Sequence, residues 1–204
     1  MDWWLIIVGV IAAALAYGYW DHTRQSRRLT GIFAVLAARH GGQVKRASLL
    51  VLPQLRFESD GRRVLVTAMA TSGATAKDSA PFTFVDVELP FDTGAELRVE
   101  RSADPVERLI DTVTPGRPPA TGHEAFDQAF RIKGKDRAFA ARLLDARVRY
   151  ELLGSQLPRL ACRVDGRKIS VDMDGTATAQ SEIEELIKIA ALLAERCAPG
   201  PRGS

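Results

Sequence analysis

Residues 52–66 read LPQLRFESDGRRVLV, and residues 157–171 read LPRLACRVDGRKISV. Aligned without gaps at a spacing of 105, seven of the fifteen positions are identical, and Arg63 with Lys168 and Val64 with Ile169 are physically equivalent. Each copy sets an Asp-Gly pair between segments of strand character, and that pair supplies the positive φ angles a two-residue hairpin turn requires. The spacing is not a solenoid period. It suggests either a pseudo-duplicated helix-hairpin unit or two hairpins reached separately, and each copy predicts the same local structure.

The flanking sequence fills in further elements. Leu29, Ile32, Phe33, Leu36 and Ala37 fall at helical spacing before Gly41 and Gly42. Strands are expected at 43–48, 55–58, 63–70 and 82–89, around Leu97 and Val99, and at 160–164 and 168–172. Residues 71–81, TSGATAKDSAP, read as a mobile loop, and Pro115, Pro118 and Pro119 mark an irregular link.

Thr121 with Glu124 suggests a capping box, and Asp136 suits the cap of a helix carrying Phe139, Ala140, Leu143, Leu144 and Val148 to near Gly154. Ser181 with Glu184 suggests a second box, opening a helix with Ile183, Leu186, Ile187, Ala190, Leu193, Ala194 and Cys197 on one face.

The amino end differs from everything after it. Residues 3–20, WWLIIVGVIAAALAYGYW, carry no charge and precede Arg24, Arg27 and Arg28. As a helix this run covers roughly 27 Å, and it reads as a single transmembrane helix retained as an anchor. Trp3, Trp4, Tyr17, Tyr19 and Trp20 would mark the two interfaces, and the arginines would hold the following domain on the cytoplasmic side of the inner membrane, with the amino end outside. Ala14 and Ala16 would suit a cleaved signal peptide, but no lysine or arginine precedes the apolar run. Gly9 with Ala13 and Ala12 with Ala16 are small residues four apart, a spacing that lets two such helices pack as a homo-oligomer.

The expected fold class is therefore α+β: a single N-terminal transmembrane helix followed by a mostly antiparallel sheet with helices packed on it. The expected parts are an anchor and basic segment at 1–28, a cytoplasmic domain at 29–197 and a disordered tail at 198–204. Between His22 and Arg63 nine basic residues face two acidic ones, whereas Val64 to Ser204 carries nineteen against twenty-one. The basic part is next to the apolar run, so membrane lipids are the expected partners, not nucleic acid, for which no aromatic platform or reading motif accompanies the charge. Cys162 and Cys197 lie in patterned apolar segments, as free thiols do in a reducing compartment.

No catalytic or metal constellation emerges, and no cofactor is expected. His22, His40 and His123 have no partner at ligand or triad spacing. Gly73 to Ser79 only superficially resembles a phosphate loop. Asp172 and Asp174 share one face of a strand, with Asp165 at the hairpin tip; paired carboxylates could hold a cation, though such residues more often solubilise a sheet. A speculative apolar ligand pocket would draw on Phe82, Phe84, Phe126 and Phe130.

The run 124–144, EAFDQAFRIKGKDRAFAARLL, has the form F-D-x-x-F-x-I-x-G-x-D followed by an A-x-x-L-L helix, carried by Phe126, Asp127, Phe130, Ile132, Gly134, Asp136, Ala140, Leu143 and Leu144. It resembles a family of uncharacterised bacterial membrane-anchored proteins with no assigned activity, over about a third of the chain beyond the apolar run. The resemblance implies a shared fold element and no reaction. The function expected is an interaction or scaffold module at the inner membrane surface, with a protein partner. The alternative is a lipid- or small-molecule-binding domain.

Overall fold

The structure is a computed structural model that describes residues 3–47, 52–70, 81–102 and 121–198. The expected loop at 71–81 (apart from Pro81), the Gly73 to Ser79 run, the three prolines and nearly all of the tail lie outside the described residues. Eight strands form one antiparallel sheet: β1 (Gln43–Lys45), β2 (Gln54–Ser59), β3 (Arg62–Ala70), β4 (Pro81–Glu88), β5 (Glu96–Arg101), β6 (Phe130–Gly134), β7 (Ala161–Asp165) and β8 (Lys168–Asp174). Their order across the sheet is β1-β2-β3-β4-β8-β7-β5-β6. The helices are α1 (Trp3–His40), α2 (Glu124–Ala129), α3 (Arg137–Leu143), α4 (Ala146–Gly154) and α5 (Gln180–Cys197).

The two similar sequences form β2–β3 and β7–β8, which flank β4 with both turns at the same end of the sheet. Val64 and Ile169 both pair with Val87, and Val66 and Val171 both pair with Val85. The copies are not locally identical, however. In the first, Ser59 pairs with Arg62, and Asp60 and Gly61 form the turn at φ 51° and 70°, the type I′ pattern. In the second, Asp165 pairs with Lys168, so the turn moves one residue on to Gly166 and Arg167, with glycine first.

The reason lies outside the hairpin. Gly166 N donates to Ala95 O, and Thr93 N and Oγ1 donate to Gly166 O, so the loop before β5 holds Gly166 in the turn. Entry differs as well: Arg159 is left-handed at φ 44°, which delays β7 to Ala161, whereas its counterpart Gln54 begins β2.

Alternation along the strands divides the sheet into two faces. Leu55, Val64, Val66, Val85, Val87, Leu97, Val99, Cys162, Val164, Ile169 and Val171 are buried on one of them. There α5 packs across β4 and β8, and α1 packs on β1 and β2. Leu29, Phe33 and Leu36 of α1 are fully buried in the same core, so the basic segment joins the domain without a linker. Among the described residues no helix covers the other face.

The transmembrane expectation is corrected. Among the described residues, no helix is long and apolar enough to cross a membrane. The aliphatic part of α1 runs only from Leu5 to Ala16, twelve residues or roughly 18 Å, against a hydrocarbon thickness of ~30 Å. Aromatic residues and Gly18 complete the uncharged stretch, and the helix continues through Asp21 and the arginines instead of stopping.

The capping expectations also shift. The cap of α2 is His123, whose Nδ1 accepts from Phe126 N, while Thr121 donates through both N and Oγ1 to Asp127 Oδ1. The helix expected from Asp136 to Gly154 is two: Asp136 caps α3, and Asp145 interrupts to cap α4 by accepting from Val148 N. At α5, Glu182 accepts from Thr178 N and Ala179 N, so the start lies two residues ahead of the expected box.

Candidate functional site

Among the described residues, two surfaces are left without a covering element: the first half of α1 and the open face of the sheet. Eleven of the fourteen large hydrophobic side chains exposed among the described residues lie between Trp3 and Trp20. They surround the helix on every side, so nothing among the described residues shields this segment. Trp3 and Trp4 stand at one end and Tyr17, Tyr19 and Trp20 at the other, all more than half exposed. Gly9, Ala12, Ala13 and Ala16 are exposed between them.

Immediately after this segment the helix becomes cationic. Arg24 sits over the Trp20 ring at 5.5 Å, and among the described residues Arg27 and Arg28 form no ion pair. At roughly 100° per residue, the three arginines lie on the side of α1 opposite Leu29, Phe33 and Leu36. The domain side at that level is Gln25, which bonds to Asp21 and accepts from the Thr176 hydroxyl at 3.3 Å.

The open face is polar at its centre. Asp86, almost buried, accepts from Ser170 Oγ at 2.6 Å and pairs with Lys168 Nζ at 2.7 Å. One row beyond, Asp172 lies between Phe84 and Ala161. Burial pushes its carboxyl up to about 6, against the pull of Arg98 and Arg163. Asp174 instead pairs with Arg159. The two carboxylates do share one face, but no group of three or more potential metal ligands exists among the described residues. Toward the turn end a broad groove of about 950 Å³ is bordered by Arg56, Glu58, Arg63, Glu88, Arg167 and Lys168, a mixture of both charges.

The four phenylalanines do not converge. Phe82 and Phe84 stack at 5.5 Å on the open face, partly buried, beside exposed Met69. Phe126 and Phe130 stack at 4.8 Å inside the core. The residues of the 124–144 motif have structural work: Asp127 ties down Thr121 and Gly122, and Asp136 caps α3. Gly134 passes so close to β5 that a Cβ would meet Glu96 O at 2.9 Å.

His40 stacks on Phe57 at 4.8 Å, and His123 is the α2 cap. Both cysteines are buried and free. Burial raises the Cys162 thiol far above its ordinary range and Cys197 to about 11. The open face itself was missed by sequence reasoning, although alternation in β3, β4 and β8 carries its signal: Leu65, Phe82, Phe84 and Asp172 fall out of phase with the core.

No family model and no curated protein matches the chain. Among solved structures, the crystal structure of the mycobacterial trehalose monomycolate transport factor A, TtfA, is similar, with a TM-score of 0.55. The match covers 86% of this chain and 96% of that one at 12% identity. The two share a fold.

Proposed function

We propose that this protein is a membrane-associated interaction module serving a lipid-related process. The observation that carries the reading is the exposed apolar half of α1, continuous with a helix whose far end is buried in the domain core. Exposing so much aliphatic and aromatic surface to water is unfavourable, at ~25 cal/mol per Å², and a lipid phase relieves it. The helix tip enters the lipid while the domain stays at its surface. The cytoplasmic leaflet suits both the arginines and the free thiols.

The open face is the surface we assign to a protein partner, because its mixed charges offer specificity without a catalytic arrangement. Fold likeness to a trehalose monomycolate transport factor is in keeping with a lipid-related role and is the reason for preferring one. A second reading rests on Phe82, Phe84 and Met69: an acyl chain laid on this apolar strip would make the domain a lipid carrier.

Vesicle flotation of the full chain tests the membrane reading. The parent protein is expected to float, and the Ile7→Asp, Ile11→Asp double variant to remain in the dense fraction. Equal behaviour of the two contradicts it. A photo-crosslinker at Leu65 then separates the partner readings: a stoichiometric protein adduct supports docking, and an adduct with lipid alone supports the carrier.

A further inference from the structure

We infer that the outer face of α1, from Arg24 to Ala38, is a docking surface for an anionic phospholipid bilayer. This rests on the membrane-associated reading and specifies the charge of the lipid and the side of the helix that meets it. Arg39 is turned toward α5, where it pairs with Glu184, and the exposed positions between the aromatic belt and it are Arg24, Arg27, Arg28, Gly31, Ala34, Val35 and Ala38. None is acidic, and they form one strip opposite the buried Leu29, Phe33 and Leu36.

Three observations select an anionic lipid surface. First, the strip continues directly from the exposed aromatic collar of Tyr17, Tyr19 and Trp20, so the arginines stand where headgroups begin once the tip is in lipid. Second, Arg27 and Arg28 have no ion pair among the described residues, and Arg24 rests on Trp20, leaving three cationic groups for an external anion. The acid nearest in sequence, Asp21, is engaged by Gln25 on the domain side.

Third, the strip beyond the arginines is small and apolar, with Val35 about half exposed, so the helix can lie close to a flat surface. A 38-residue helix about 57 Å long, too little of it aliphatic to cross, meets these conditions by entering the bilayer at a shallow angle. The sheet is then held on the far side of α1, toward water.

The test compares the full-length protein on vesicles of pure phosphatidylcholine with vesicles containing about 30% phosphatidylglycerol, at low and at high salt. Binding is expected to be at least tenfold tighter to the anionic vesicles and to weaken as salt rises. The Arg24→Gln, Arg27→Gln, Arg28→Gln triple variant should lose that preference yet keep its residual binding to neutral vesicles. The corresponding lysine triple should retain the preference. All three sites are exposed and helix-compatible, so circular dichroism should be unchanged.

Equal binding to both vesicles overturns the inference and leaves the membrane reading standing. Binding to neither overturns both. Tighter binding to single-stranded DNA than to anionic vesicles would assign the strip to nucleic acid and also overturn it.

Discussion

The Thr176 hydroxyl donates to Gln25 Oε1 across 3.3 Å, linking the loop after β8 to the turn of α1 that carries the arginines. The same loop is pinned to the sheet by Thr83, whose hydroxyl donates to Gly175 O and accepts from Ala177 N. The end of β4 and β8 bearing Phe82 and Asp174 therefore lies at the level of Arg24 to Arg28. The posture of the sheet relative to this part of α1 is built into the fold, not left to a linker.

That posture depends on the packing of α1. Phe33→Ala empties a fully buried site and should lower stability by about 3 to 5 kcal/mol. Denaturant unfolding measures it. A loss below about 1 kcal/mol would mean that α1 is not part of the core.

Glycine substitutions should separate by position. At Gly134 an added Cβ meets backbone, so Gly134→Ala is expected to cost about 2 kcal/mol or more. Gly31 is exposed within α1 with nothing within 4 Å, so Gly31→Ala should stabilise by roughly 0.5 to 1 kcal/mol. Thermal melts of the two proteins should move in opposite directions.

Asp172 gives a pH signature. Its folded carboxyl is raised to about 6, so between about pH 4 and 6 the folded state holds a proton that the unfolded chain releases. Stability from this group is present below about pH 4, falls as pH rises through 6 and is level above. Asp172→Asn should therefore stabilise the protein at neutral pH, by an amount on the order of 2 kcal/mol, and gain little near pH 4. Paired denaturation curves at the two pH values check this; a variant less stable than the parent at neutral pH would contradict it.

Cys162 and Cys197 should resist alkylation in the folded protein, because both are buried with thiols raised above their ordinary range. Mass spectrometry after iodoacetamide treatment should find modification only when denaturant is present. Rapid native labelling of Cys162 would show that β7 opens.

Much of the fold is legible in the chain because its signals are local. Alternation in β3 and β8 and the two Asp-Gly pairs mark hairpins that the sheet uses, and the apolar stripe of α5 is the face that packs. What escaped depends on residues remote in sequence. The second turn slips by one residue because Thr93 and Ala95 hold Gly166, and nothing within 157–171 reports that contact. Asp145 breaks an apolar stripe that would otherwise read as one helix. The apolar amino end shows a surface that the domain leaves uncovered, but length and composition together decide whether such a run can cross a membrane, and an aliphatic run ending at Ala16 is short for crossing.

The chain has three tryptophans, Trp3, Trp4 and Trp20, all in the exposed part of α1, so tryptophan fluorescence excited at the red edge, clear of tyrosine, reports on that segment alone. Adding vesicles of brominated phosphatidylcholine and phosphatidylglycerol to the full-length protein is the most direct measurement of membrane contact. A blue shift and strong quenching by the brominated acyl chains are expected, with iodide in solution losing its access. Emission unchanged by vesicles and still quenched by iodide would contradict the membrane reading.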